Sequence, residues 1–155
     1  MPHKTFRYYA IAAVEGTPIV VARLLHGIEP ADYDRTPDPE RFTIRGILAH
    51  LADFDPIFHE RMVCCRDEDN PQLVPRDENQ MAIDNDYDYS DQVESLARFT
   101  ASRAKMAAFL HGLSADQWDR AGTHQVAGKM TIGNLVDFVV GHDGYHTRQI
   151  AEWLT

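Results

Sequence analysis

The sequence predicts an all-α protein, a four-helix bundle forming a single domain over residues 1–155. Three observations carry that prediction. Apolar residues recur at three- and four-residue spacing through four long stretches. Two-residue alternation, which a half-buried strand needs, is nearly absent. Caps and breakers (Thr, Ser, Gly, Pro) stand at the ends of those stretches. At 155 residues the chain is long enough to bury a real core.

The first helical stretch runs from about Lys4 to Leu25 and is closed by Gly27. Thr17-Pro18 interrupts it, which predicts either a kink or a fresh start with Thr17 as N-cap. Pro30, Pro37 and Pro39 mark a loop between Glu29 and Arg41. Thr43 caps a second helix that passes through Ile44, Ile47, Leu48 and Leu51 to about Cys65, with a kink expected at Pro56. Residues 67–91 hold nine Asp/Glu and two prolines, so they read as a long acidic loop. A third helix is expected from Ser90 to His111, stopped by Gly112. Ser114–Gln117 has a capping-box pattern for a short turn. A glycine-containing loop over 120–130 leads to Thr131, which caps a last helix running to the C-terminus. TIRGILAHL and TIGNLVDFV open the second and last helices alike, a hint of internal duplication.

Fifteen Lys+Arg against 24 Asp+Glu give a net charge of −9. That balance repels phosphate backbones and anionic bilayers, so neither nucleic acid nor membrane is an expected partner. No apolar run approaches the ~18 residues of a spanning helix. Cys64 and Cys65 are adjacent, which strains a mutual disulfide, and no other cysteine exists. With no secretory signal pattern at Met1–Arg7, the chain reads as soluble and cytoplasmic.

Eight histidines are present. On the last helix His142 and His146 lie about 40° apart on the wheel, one turn above the other. Leu135, Phe138, Val139, Gln149, Ile150 and Trp153 fall near the same stripe, so both imidazoles point inward. One inward histidine is ordinarily a core residue. Two at i, i+4 repel when charged and need partners when neutral, and a shared divalent cation resolves both problems. A third ligand is then required. His26 and His111 precede glycines in last turns, where they complement the helix dipole. His3 sits at a terminus. His50 shares a face with Ile47, Phe54 and Ile57, whereas His59, nine residues on, faces the other way. His50 is therefore the better candidate. His124, in the loop before the last helix, is a candidate substrate contact.

His50 on a helix opened by Thr43-Ile44, the Gly16-Thr17-Pro18 segment and the terminal His142-Asp143-x-x-His146-x-x-Gln149-Ile150 signature together resemble the DinB/YfiT-like superfamily over nearly the whole chain. The resemblance implies an up-down-down-up arrangement of the four helices. It implies one divalent metal, nickel or zinc, held by His50, His142 and His146, and often a homodimer. It also implies a small-molecule substrate. Some members are thiol-dependent transferases or isomerases using low-molecular-weight thiols such as bacillithiol or mycothiol, and others resemble hydrolases. A non-catalytic or stress-related metal-binding dimer is the alternative.

Three neutral histidines leave a bound metal its full charge and an open position, the pattern of a catalytic site. Asp53, one turn beyond His50, and Asp143, next to His142, are the candidate proton acceptors or orienting groups; ordinary ion pairs are the competing explanation for both. Gln149 continues the inward stripe and can bond a ligand or substrate. Arg148 and Arg61 are candidates to receive an anionic group, or surface ion pairs. A zinc peptidase of the H-E-x-x-H type is disfavoured, because no histidine follows His146 and only Glu152 is acidic there. Asp84-x-Asp86-x-Asp88 fails as a calcium loop, lacking its Gly and Glu.

Overall fold

The computed structural model describes residues 4–155, so His3 lies outside the described residues. Four long helices dominate: α1 (Lys4–Leu24), α2 (Ile44–Asp67), α4 (Gln92–Gly112) and α5 (Ile132–Trp153). A short α3 (Glu78–Asp84) and three strands, β1 (Gln72–Leu73), β2 (Ala121–His124) and β3 (Gly128–Thr131), accompany them among the described residues, with single 3-10 turns at Pro30–Asp34, Tyr87–Tyr89 and Gln117–Asp119.

The caps act as expected. Thr43 Oγ1 accepts from the Gly46 amide at 3.0 Å, and Thr131 Oγ1 from the Asn134 amide at 3.0 Å. Asn134 Oδ1 answers by accepting from the Thr131 amide, closing a capping box with Asn in place of Glu or Gln. Pro18, by contrast, lies inside an unbroken α1, and Thr17 is not a cap. A proline removes the N–H that would bond the carbonyl four residues back. Here that carbonyl is Val14 O, and the Arg103 guanidinium donates to it at 3.1 Å. Pro56 likewise sits inside a continuous α2. α4 starts at Asp91, which caps through its own carboxylate, rather than at Ser90.

α2 packs on α4 and α5, and α1 packs on the same two helices. Two apolar clusters stack along the bundle. One holds Val14, Phe58, Met62, Met106, Leu110, Ile132 and Val139; the other holds Val21, Leu25, Ile44, Leu48, Phe99, Ile150 and Trp153. Each fully buried aliphatic or aromatic side chain contributes about 1.5–3 kcal/mol. α1 and α5 run from the first cluster to the second, whereas α2 and α4 run from the second to the first. That order is the up-down-down-up bundle. Between the clusters lies a polar layer built from Thr17, His50, Asp55, Arg103 and residues 142–149, and the site occupies it.

Parallel α2 and α4 need a connection that returns the full length of the bundle, roughly 30 Å for helices of this size. The segment expected as a plain acidic loop therefore carries β1, α3 and a 3-10 turn. The stretch 120–130, also expected as a loop, is a β-hairpin. β2 pairs antiparallel with β3 (Gly122 opposite Met130) and parallel with β1 (Leu73 opposite His124). Gly122 permits this contact, because a Cβ there would stand 2.8 Å from Pro71 O. Arg120 fastens the hairpin to the end of α2 by donating to the Cys65 and Glu68 carbonyls. Among the described residues no helix is long and apolar enough to cross a membrane.

Candidate metal centre

His50 lies two turns into α2 and is fully buried, with the rings of Phe42 and Phe54 at centroid distances of 5.4 and 4.6 Å. His142 and His146, one turn apart on α5, face it across the bundle axis. The ring centroids are 5.0 Å apart for His50–His142, 4.7 Å for His50–His146 and 4.6 Å for His142–His146. One ligating nitrogen from each of the three lies within 4.8 Å of the others. His50 Nε2 and His142 Nε2 approach to 2.8 Å.

The surroundings keep His50 and His146 free of charge. Burial, reinforced by His146 and His142, pulls the His50 imidazole down to about 2. Burial and His142 lower His146 to about 4, against smaller opposing effects of Gln149 and Asp143. At neutral pH both present lone pairs. His146 Nδ1 stands 3.1 Å from Gln149 Oε1; an amide oxygen only accepts, so Nδ1 carries the hydrogen and Nε2 is left as the donor atom. His50 Nδ1 is buried and has no hydrogen-bond partner among the described residues. Three imidazole nitrogens converging in this layer fit a divalent cation, which replaces proton sharing between Nε2 atoms as the means of satisfying them.

Beneath His142 a buried ionic network ties all four long helices together. Arg103 of α4 donates to Asp55 of α2 at 2.8 Å through Nε, to Asp143 of α5 through both terminal nitrogens, and to Val14 O of α1. Thr17 Oγ1 donates to Asp143 Oδ2 at 2.8 Å. Burial raises the Asp143 carboxyl, but His142, Arg103 and Thr17 together hold it below the usual carboxylate range. Asp143 is thus occupied by Arg103 and approaches His142 Nδ1 only to 3.9 Å.

The other residues singled out from the sequence separate clearly. Gln149 is buried and bonded to His146. His124, on β2, lines a cavity of about 390 Å³ together with His142, Phe54, Phe58, Phe138 and Arg61. Its Nδ1 accepts from the Val126 and Ala127 amides, which leaves Nε2 as its donor. Asp53 is not brought to the cluster: Arg98 of α4 and Asn85 hold its two oxygens. Arg148 is exposed on the outer face of α5, paired with Glu152 at 3.0 Å. Phe138, expected on the inward stripe, is 52% exposed and forms a cavity wall instead. Arg61 donates to Val74 O.

A second cavity of about 330 Å³ is lined by Arg41, Phe42, Tyr145, His142, His146 and Gln149, with Glu40, Glu78 and Asn79 at its lip. His142 and Glu78 border both cavities. A larger hollow of about 740 Å³ contains none of the three imidazoles and adjoins this site only through Glu40, Arg41 and Phe42. Arg41, Tyr145 and Glu78 were missed from sequence. Tyr145 lies three residues after His142, a signal that helical spacing could have supplied. Arg41 and Glu78 reach the site from connecting segments and left no such signal.

A bundle whose central layer holds three inward histidines beside open cavities defines a class of helical protein with a site that could hold a metal ion. The chain belongs to the DinB superfamily, whose family model matches residues 13–150. A protein of Oceanobacillus iheyensis named "Putative metal-dependent hydrolase" is 26% identical over 141 residues, covering 90% of this chain and 81% of that protein. Among solved structures, YfiT from Bacillus subtilis, described as a probable metal-dependent hydrolase with an unusual four-helix bundle topology, superposes with a TM-score of 0.92. It is 23% identical, and the match covers 99% of this chain and 88% of YfiT. That likeness concerns the fold.

Proposed function

We propose that the chain is a metal-dependent hydrolase of a small molecule, with nickel or zinc held by His50, His142 and His146. The observation that carries this reading is the convergence of three imidazole nitrogens within 4.8 Å at the border of two open cavities. A divalent ion there supplies Lewis acidity to a substrate oxygen and acidifies bound water. The names of the two relatives support the same reaction class.

The protein's own groups have separable roles in this reading. Gln149 fixes the tautomer of His146. Asp143, locked by Arg103, anchors the helical turn that carries His142. Glu78 is the one acidic side chain that borders both cavities, and its exposed carboxylate is the proposed proton acceptor, in place of Asp53. Phe54, Phe58 and Phe138 give the substrate an apolar wall, with His124 Nε2 as a hydrogen-bond donor. Transfer to a low-molecular-weight thiol is the competing chemistry on the same metal. A homodimer in the cytoplasm completes the proposal, supported by the family resemblance and the acidic, cysteine-poor composition.

The test is a panel of small esters, amides and thiol-reactive electrophiles assayed with protein loaded with Ni²⁺ or Zn²⁺, with and without added thiols. Turnover of an ester or amide that needs the metal, ignores thiols and is lost in His146→Ala supports the hydrolase. Turnover that needs a thiol assigns the transferase instead. Hydrolysis unaffected by chelation and by His146→Ala contradicts the reading.

A further inference from the structure

Arg41 stands apart from the other partly or fully buried arginines. Arg103 has two carboxylates and a carbonyl, Arg45 has Asp34 and the Ser90 carbonyl, and Arg120 has the end of α2. Among the described residues Arg41 makes no ion pair and no side-chain hydrogen bond, and its Nε is buried without a partner. A guanidinium is always charged and carries five donors in a planar fork. Leaving it unanswered is costly unless something else occupies it.

The side chain is nonetheless fixed. Its guanidinium carbon lies 4.5 Å from the Trp153 ring centroid and 5.3 Å from that of Tyr145. Trp153 is itself held by a 3.0 Å bond from its Nε1 to Phe42 O, in the residue next to Arg41. Cation–π contact uses the faces of the fork and leaves its edges for in-plane acceptors. Arg41 lines the cavity that His142 and His146 also line, and its charge adds to the lowering of His146.

We propose that Arg41 is the anion-recognition residue of this site, and that the substrate carries a carboxylate which the fork receives while the scissile group faces the histidines. Glu40 and Glu78 stand at the cavity lip, and the chain's net charge is −9. Those negative charges repel a dianion more than a monoanion, which favours a carboxylate over a phosphate. The aromatic wall of the adjoining cavity suits an aryl or alkyl body. This inference names the substrate class of the site proposed above and rests on that reading for its catalytic meaning. Arg41's anion binding is tested separately from the metal.

The experiment uses full-length, metal-free protein, with benzoate and inorganic phosphate as probes and two readouts: calorimetry and the arginine Nε–H resonances by NMR. The Arg41 resonance is assigned by its disappearance in Arg41→Gln. Benzoate should shift that resonance saturably. Its Kd should rise about tenfold or more in Arg41→Gln, and Arg41→Lys should recover part of the loss. Phosphate should bind more weakly than benzoate. A near-UV circular dichroism spectrum and a urea midpoint matching the wild type in Arg41→Gln show that the fold is intact. Equal benzoate affinity in wild type and Arg41→Gln, no saturable shift at Arg41 up to tens of millimolar, or a preference for phosphate overturns the proposal. Failure of the metal reading shows instead as nickel affinity indifferent to His50→Ala, and it leaves the benzoate result standing.

Discussion

Replacing Arg103 by Met removes the charge at the centre of the network while keeping most of the side-chain volume. Arg103 is 2% exposed, Asp55 1% and Asp143 4%, so no solvent is available to either carboxylate once the guanidinium is gone. Breaking a buried pair from one side costs about 3–5 kcal/mol, because an uncompensated charge stays behind. For a domain of this size that lowers Tm by about 6–20 °C, at roughly 2–4 °C per kcal/mol. The loss is a large part of a typical 5–15 kcal/mol total. Its pH dependence is equally specific. In the wild type the Asp143 carboxyl is held below its ordinary value, so its contribution is present above that value of 3.8 and is lost as pH falls through the depressed one. Asp55 opposes it, since burial raises its carboxyl despite Arg103. Without Arg103 both carboxyls move up, and each can escape its burial penalty by taking a proton. The deficit of Arg103→Met should therefore be greatest near pH 7 and shrink towards pH 3. Urea unfolding of both proteins across that range measures it. A deficit below about 1 kcal/mol at pH 7 would refute the reasoning, because it would mean that the carboxylates find other partners or water.

The ligand support and the fold offer further tests. Gln149→Leu removes the acceptor from His146 Nδ1 and should weaken nickel or zinc binding about 10–100-fold by calorimetry, while Gln149→Glu, which keeps an acceptor, should lose less. Gly122→Ala places a Cβ 2.8 Å from Pro71 O, a backbone atom, and 3.0 Å from the Leu73 side chain. It should separate β1 from β2 and destabilise by about 1–3 kcal/mol in urea unfolding. Thr131→Ala deletes the acceptor for the Asn134 amide and should lower stability by about 1 kcal/mol, measured the same way.

The parts of this protein that were legible in the sequence are those governed by short-range periodicity. Thr43 and Thr131 announced two helix starts, and the spacing of His142 and His146 placed both rings on one inward line. His50 followed by elimination among the remaining histidines. What was not legible depends on neighbours brought from elsewhere. Pro18 read as a break because the partner of Val14 O comes from Arg103, 89 residues away. Asp53 stood as a candidate support for His50 beside the reading of an ordinary ion pair, and wheel geometry cannot show that Arg98 and Asn85 claim it. β1 has two residues and β2 begins Ala-Gly, too short and too bare for alternation to register. Arg41 and Glu78 reach the site through connecting segments whose paths only the packed bundle determines.

The most direct test of the account is metal content and affinity for the untagged full-length chain, measured beside His50→Ala and His142→Ala. Elemental analysis followed by calorimetric titration with Ni²⁺ and Zn²⁺ should give about one ion per chain for the wild type and a collapse of binding in both variants, since two imidazoles rarely retain an ion that three hold. Binding of equal stoichiometry and strength in all three proteins, or none in the wild type after loading, would contradict the three-histidine centre.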